Sequence, residues 1–339
     1  MTSFAATPVA VVDIGSVSCQ MLMTDGRTRL RRSVDTLLGG ATMGANGKVA
    51  PRPFDAGALA HTEEVLVGYA AAASDAGAST VRVVGTASAR RAPNASDLAA
   101  LVERTMGAPL EILDGEDEGR LAFTGAMGTL AGAVGEGGGE ATAALVAVDD
   151  PVLTVDIGGG STEFTLGSLD RGPTDSISIP LGGALVTAAY LHGDPPGPDE
   201  LSAALSVVEL HLDDVRRELP ALTPALASIN VVGLGAAVTL AAIEIGLADA
   251  DPHNGDGDGP LHRFELTREA LEDVFRTIAT EDRDDRAHNP GLPPSRVHDI
   301  VGACAVLVET MRQFDLDAVT ISQRGLADGV ASEMLAGVG

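Results

Sequence analysis

Val152-Leu-Thr-Val-Asp-Ile-Gly-Gly159 is an apolar run that ends in Asp-Ile-Gly and small residues, and Val9-Ala-Val-Val-Asp-Ile-Gly-Ser16 has the same pattern one domain's length earlier. In each copy a second strand-like run follows the glycines, over residues 19–24 and 163–167. Two apolar runs joined by a glycine-bearing tip are typical of a β-hairpin. The repeat therefore predicts two related domains, each built around one such hairpin.

Strand-like and helix-like segments alternate along the rest of the chain, which is typical of α/β layers. The predicted helices cover residues 58–76, 115–130, 198–219 and 326–335, and the predicted strands cover residues 80–84, 110–113, 229–232 and 318–322. The glycine-rich stretch 132–140 predicts a linker. We therefore predict an α/β protein with a first domain over 1–135 and a second over 141–324, with the C-terminal helix 325–339 as a candidate addition to the first.

Composition limits the classes of partner. The 339 residues carry a formal net charge of −26, and only 3% of them are aromatic. This charge repels nucleic acid and anionic membranes, and no basic run offsets it. No apolar stretch reaches the ~18 residues of a membrane span, and the N-terminus lacks a signal-peptide pattern. We expect a cytoplasmic protein with no nucleic-acid or membrane partner, in which Cys19 and Cys304 are buried thiols.

The octet Asp156-Ile-Gly-Gly-Gly-Ser-Thr-Glu163 has the composition of a phosphate-binding turn. Successive glycines let backbone N–H groups form an anion nest, and the two hydroxyls add donors. Asp156 could then hold a hydrated magnesium ion against phosphate oxygens. A plain hairpin turn with a solvated Asp is the structural alternative, and the second copy at Asp13 favours phosphate binding.

Two further groups of charged residues have both a structural and a functional interpretation. The acids at 116–118 open a predicted helix, where carboxylates offset the helix dipole without any chemistry. Arg90 and Arg91 follow a strand-to-turn segment and could bind a terminal phosphate, although paired arginines are commonly solvated surface residues. The residues alone leave both alternatives open.

The stretch 254–265 has nearly the spacing of an EF-hand calcium loop, with Asn254 in the first position and Glu265 in the last. No helix is predicted to enter it, and Glu265 falls in a short strand-like run before Thr267. We therefore predict an acidic, flexible loop and no calcium site.

Taken in order, several segments resemble the exopolyphosphatase/guanosine pentaphosphate phosphohydrolase family in its short two-domain form. They are Asp13-Ile-Gly-Ser16, Thr86-Ala-Ser-Ala-Arg90, Gly115-Glu-Asp-Glu-Gly-Arg120, the octet 156–163, Pro180-Leu-Gly182 and Val232-Gly-Leu-Gly235. The resemblance implies two ribonuclease-H-like domains of the actin/Hsp70/sugar-kinase superfold with an interdomain cleft, assembled as a homodimer.

The resemblance also implies roles for individual residues. Glu118 would be the general base for water, Arg90 would grip the terminal phosphate, and Asp156 and Glu163 would hold Mg²⁺, with Mn²⁺ as an alternative, and place the water. The implied phosphate-binding residues are Asp13, Gly15, Ser16, Ser18, Gly158, Gly159, Gly160, Ser161, Thr162, Gly233 and Gly235. The substrate would be inorganic polyphosphate, from which terminal orthophosphate is released.

The chain departs from the family pattern at four positions. Val17 stands where the family usually has Asn, Arg91 replaces a usual acid, and Leu185 and Ala188 stand at usually charged positions. Three alternatives to an exopolyphosphatase therefore stay open: a guanosine pentaphosphate hydrolase, a catalytically weak binding or sensor protein, and a sugar or acetate kinase. The segment 115–120 argues against the kinase.

Overall fold

The computed structural model describes residues 4–39, 41–43, 49–130, 148–247, 254–256 and 258–337, so the predicted linker 132–140 lies outside the described residues. The first half of the chain contains β1 (Val9–Ile14), β2 (Ser18–Thr24), β3 (Arg29–Asp35), β4 (Ala41–Met43), β5 (Val49–Pro51), α1 (Ala56–Asp75), β6 (Thr80–Gly85), α2 (Ala87–Arg91), α3 (Ala95–Met106), β7 (Leu110–Ile112) and α4 (Gly115–Leu130).

The second half is richer in helix. It contains β8 (Val152–Ile157), β9 (Thr162–Ser168), β10 (Gly172–Ile179), α5 (Gly183–Tyr190), α6 (Pro198–Glu218), α7 (Leu222–Ala225), β11 (Asn230–Gly235), α8 (Ala236–Glu244), β12 (Gly255–Asp256), β13 (Glu265–Thr267), α9 (Arg268–Thr280), α10 (Arg283–Arg286), a 3-10 turn (Pro294–Arg296), α11 (Ile300–Gln313), β14 (Ala318–Ile321) and α12 (Leu326–Ala336).

The two main sheets have the same topology. The first has the order β3-β2-β1-β6-β7 and the second the order β10-β9-β8-β11-β14, with one further edge strand on each. In both, the first three strands are antiparallel and the next two run parallel to the first. The repeat in the sequence is thus a repeat in the structure, and the predicted duplicated α/β fold is confirmed.

Helices α4 and α12 lie between the two sheets. Val330 of α12 and Ala126 of α4 share one buried cluster with Val9 of the first sheet and Val232 of the second. The helices cross at glycines, since a Cβ added to Gly125 would lie 2.0 Å from the Gly325 carbonyl oxygen. The last helix of the chain therefore packs against the sheet formed by the first half, while the division at 1–135 and 141–324 stays a prediction.

The outer faces of the sheets are covered by separate sets of helices. Helices α1 and α3 cover the first sheet, and α5, α6, α8, α9 and α11 cover the second. Helix α3 ends at Gly107, which caps it with a left-handed backbone at φ 65°. Among the described residues, every helix is too short or too polar to cross a membrane.

The acidic stretch near residue 255 differs from the prediction of a flexible loop. Strand β12 pairs antiparallel with β3 at the edge of the first sheet, and the Asn254 side chain accepts a 2.6 Å hydrogen bond from the Ser33 amide. Asp258 binds Arg29 at 2.7 Å and Arg324 at 2.8 Å. Glu265 lies apart from it in β13, paired with β14, so the residues of the EF-hand pattern are engaged in structural contacts.

Candidate active site

A cleft of about 150 Å³ opens between the two sheets, at the tips of the hairpins β1–β2 and β8–β9. Ligands of α/β folds bind at the carboxyl ends of strands. The cleft is lined by most of the residues that the sequence singled out, namely Asp13, Gly15, Ser16, Ser18, Glu118, Asp156, Gly158, Gly159, Gly160, Ser161, Glu163 and Gly235. The fold therefore brings together segments that are far apart in the sequence.

Both hairpin tips are closed by the same turn. The Gly15 amide donates to the Ser18 carbonyl at 2.9 Å, and the Gly158 amide donates to the Ser161 carbonyl at 3.0 Å. We call residues 13–18 the first loop and residues 156–161 the second loop. Their equal geometry places Asp13 and Asp156 at equivalent positions, just before each turn.

Two carbonyl groups of the second loop accept hydrogen bonds from the start of α5. The Gly158 carbonyl accepts from the Gly183 amide at 2.9 Å, and the Gly159 carbonyl accepts from the Leu185 amide at 3.1 Å. In a trans peptide the N–H of the next residue points the opposite way. The start of α5 thus orients the amides of Gly159 and Gly160 as donors, which is the arrangement of an anion nest.

Side chains of the first loop pack against glycines of the second loop. A Cβ added to Gly159 would lie 2.4 Å from Cγ2 of Val17, and one added to Gly160 would lie 2.6 Å from Oγ of Ser16. Val17 itself is 3% exposed. At this position, where the family usually has Asn, the chain makes an apolar contact across the cleft.

Four carboxyl groups converge in the cleft and disfavour each other's ionisation. Burial, then the charges of Glu118 and Asp156, raise the pKa of Asp13 to about 8. Burial and Glu118 raise the pKa of Asp156 to about 7. The pKa of Glu163 lies well above its ordinary value for the same reasons, although hydrogen bonds from Ser178 and Ser161 oppose the rise. The cluster therefore resists full ionisation unless a cation compensates its charge.

Glu118 is held in the first turn of α4. Asp114 begins this helix, with its side chain accepting from the Asp117 amide at 2.9 Å. Glu118 as a residue is 7% exposed, and its carboxylate accepts a 2.6 Å hydrogen bond from Nη1 of Arg90. Burial raises the pKa of Glu118, and the positive charge of Arg90 opposes the rise. A buried, partly shielded carboxylate with a raised pKa has the properties of a general base.

The glycines around Glu118 let α4 approach the second sheet. A Cβ added to Gly119 would lie 2.3 Å from Oγ of Ser176, and one added to Gly115 would lie 2.4 Å from Cβ of Ser178. The Ser178 hydroxyl donates to Glu163 at 2.7 Å. The segment 115–120, which comes from the first half of the chain, is thereby placed beside the acids of the second.

The donor set of the cleft fits a hydrated divalent cation. Oδ1 of Asp13 is buried without a hydrogen-bond partner, and the mutual repulsion of the carboxylates would be relieved by positive charge. Within the described residues, no three acidic, His or Cys side chains form a ready metal cage. Magnesium fits this arrangement, because it keeps several waters and uses only one or two carboxylates together with substrate phosphates.

Three predicted site residues do not line the cleft. Arg90 lies behind Glu118, where it also donates to the Leu113 carbonyl at 2.7 Å. The Thr162 hydroxyl donates to the Leu181 carbonyl at 2.5 Å, and Gly233 lies within β11 against Ala237. Their contacts in this structure are with protein groups.

The lining also includes residues that the sequence did not predict. Arg31, Arg296 and Arg324 face the same cleft. These three arginines lie on segments without a recognised motif, so only the fold shows that they face the cleft. Arg91, which the sequence offered as a phosphate ligand, instead donates from Nη1 to the Gly160 carbonyl at 2.7 Å.

Comparisons with known proteins point to one family of phosphatases. A model of the Ppx/GppA phosphatase family matches residues 29–337. Exopolyphosphatase 2 of Mycobacterium tuberculosis is 29% identical over 345 residues, which cover 96% of this chain and 98% of that protein. The relative and this chain thus match over nearly their whole lengths.

Two solved structures share the architecture. The Ppx/GppA family member from Aquifex aeolicus superimposes with a TM-score of 0.70 at 25% identity, covering 98% of each chain. An exopolyphosphatase from Cytophaga hutchinsonii has a TM-score of 0.77 at 20% identity, again over 98% of each chain; at that identity the likeness concerns the fold alone. From the family match over most of its length, this chain belongs to the Ppx/GppA phosphatase family.

Proposed function

We propose that the protein is an exopolyphosphatase, which hydrolyses the terminal phosphoanhydride bond of inorganic polyphosphate and releases orthophosphate. The observation that carries the proposal is the meeting, in one cleft, of an amide-lined glycine loop with a buried carboxylate on the opposing helix. The first can bind a terminal phosphate, and the second can activate water beside it. The family supports a phosphoanhydride hydrolase.

Binding of the terminal phosphate falls to the two loops. The Ser16 hydroxyl and the amides of Gly159 and Gly160 are donors that reach the cleft from opposite sides. Phosphoryl transfer demands mainly positioning and stabilisation of charge, so donors fixed by the fold before substrate arrives supply much of the catalysis.

Glu118 accepts the proton of the attacking water. The water oxygen forms a bond to the terminal phosphorus, the bridging P–O bond breaks, and the shortened chain leaves with the electrons of that bond. Arg90, bonded to the Glu118 carboxylate at 2.6 Å, keeps the carboxylate ionised and oriented, and would release a donor toward substrate if that bond opened. Magnesium, held by Asp156 and Glu163, would neutralise phosphate charge.

An inorganic chain fits the cleft better than a nucleotide does. Among its described lining residues there is no Phe or Tyr on which a guanine base could stack. Guanosine pentaphosphate is therefore the second candidate substrate. The apolar contact of Val17 is the feature that would suit a binding protein without turnover.

The test is orthophosphate release from tripolyphosphate, long-chain polyphosphate and guanosine pentaphosphate, each with and without Mg²⁺ or Mn²⁺. We expect metal-dependent release from the inorganic chains at a higher kcat/KM than from the nucleotide. Faster release from guanosine pentaphosphate would make it the preferred substrate in place of polyphosphate. Binding of polyphosphate without release from any of the three would identify a sensor.

A further inference from the structure

We propose that Arg91 is a positioning residue, which turns the Gly160–Ser161 peptide so that the Ser161 amide donates to the substrate phosphate. This inference rests on the proposed function and gives Arg91 a different role from the direct phosphate contact that the sequence suggested. Arg91 ends α2 in the first half of the chain, while its partner belongs to the second loop.

The second loop has three consecutive carbonyls, and each of them accepts a hydrogen bond. Amides at the start of α5 bind the carbonyls of Gly158 and Gly159. The next carbonyl, that of Gly160, is bound by a side chain instead: Nη1 of Arg91 donates to it at 2.7 Å. Because the C=O of one residue and the N–H of the next point in opposite directions, the third contact fixes the direction of the Ser161 amide.

The contact between Arg91 and Gly160 depends on the position of α2, as the neighbouring Arg90 shows. Arg90 and Arg91 are adjacent in α2, and their side chains diverge to two different partners. Arg90 binds Glu118 at 2.6 Å, while Arg91 binds the Gly160 carbonyl of the second loop. One short helix therefore supports both the base and the phosphate loop.

Arg91 is a hydrogen-bond donor in a partly buried place. Burial and the neighbouring charge of Arg90 lower the pKa of Arg91, and the acids Glu163 and Glu118 oppose that shift. A guanidinium cannot lose its proton in this range of pH, so it remains a donor whatever the state of the cluster. The acid that the family usually has here could not donate to a carbonyl, so the contact distinguishes this chain from the family pattern.

The test compares tripolyphosphate hydrolysis by the wild type with that by three variants, Arg91→Met, Arg91→Lys and Arg91→Glu. Met keeps the length and the apolar stem, Lys restores one donor, and Glu supplies the usual family residue. Arg104→Met is the matched control, because Arg104 pairs with Glu63 on the surface of α3. Melting temperatures of all variants show whether a loss reflects folding.

We expect Arg91→Met to raise KM about tenfold or more with kcat within threefold, because an amide that binds phosphate before and during the reaction contributes uniform binding. Arg91→Lys should recover most of the loss, and Arg91→Glu should be worse than Met. The control should match the wild type.

Several results would overturn the proposal. One is an Arg91→Met enzyme with KM within twofold of the wild type. Another is a Lys variant as poor as Met, because a single N–H suffices for one carbonyl. A fall in melting temperature that accounts for the whole loss of activity would show that Arg91 only stabilises the fold. If the wild type itself released no orthophosphate, the proposed function would fail, which is a different result from any of these.

Discussion

Gly15 and Gly158 begin the same turn in the two halves of the molecule, and in both turns a Cβ on the glycine would lie 3.2 Å from the carbonyl that closes it. The next two residues differ completely, since Ser16 and Val17 in the first loop correspond to Gly159 and Gly160 in the second. The duplicated elements have thus kept their backbone and changed their side chains.

The difference follows from where the copies meet. The side chains of Ser16 and Val17 occupy the space that a Cβ on either glycine would need. Two identical loops facing each other could not approach this closely with side chains on both. A cleft built from a repeat therefore needs one copy with side chains and one copy without, and the glycine copy gains exposed amides for phosphate.

The largest expected effect is on catalysis by Glu118, with substrate binding by the two loops left intact. Glu118→Gln should lower kcat by about 10² to 10⁴-fold, as removal of a general base does, with the fold preserved. Polyphosphate should still bind, because both loops are intact; equilibrium binding and orthophosphate release measure the two effects. Unchanged kcat would move the base to Glu116 or Asp117.

A methyl group on the second loop should disturb the fit between the loops. Gly159→Ala places its Cβ against Val17 and should lower kcat/KM by about 10²-fold, the loss expected when a site is displaced by about 1 Å. Adding Val17→Ala removes the clash and should restore part of the activity. A double variant no better than Gly159→Ala would show that the two loops do not depend on each other in this way.

The crossing of α4 and α12 is a second place, away from the cleft, where a glycine lets two elements approach closely. Gly125→Ala puts a Cβ 2.0 Å from a backbone oxygen of the partner helix and should lower the free energy of unfolding by about 1–3 kcal/mol. Gly128→Ala, one turn on and with open space around it, should raise it by about 0.5–1 kcal/mol. Denaturant unfolding measures both, and equal effects would contradict the tight crossing.

The two equivalent acids, Asp13 and Asp156, should differ in how strongly each makes the stability depend on pH. Because the pKa of Asp13 rises from 3.8 to about 8 on folding, the folded state binds a proton that the unfolded state releases. Its contribution to stability is present at low pH and is lost as the pH rises through this window.

The measurement is the free energy of unfolding from pH 4 to 8 without divalent metal. The wild type should lose at least about 1.4 kcal/mol more than Asp13→Asn, the value of one pKa unit. Asp156→Asn should remove a smaller slope, since the pKa of Asp156 reaches only about 7. Parallel curves for all three proteins would contradict the raised values.

Much of the fold could be predicted from periodicity and turn residues. The two hairpins and the helices predicted over 58–76 and 198–219 are local features, and the structure has them within a few residues. Helix α11 was not predicted, because residues 300–311 are all buried and a helix that is apolar on every side has no amphipathic period.

The local patterns of this sequence determined its strands, its glycine turns and the acids beside them, because each depends on neighbours a few residues away. Only the tertiary structure decided that β12 joins the opposite sheet, that Leu185 acts through its amide and that Arg91 meets Gly160. These contacts join residues about 25 to 225 positions apart, and no local energy favours one such pairing over another until both sheets have packed against α4 and α12.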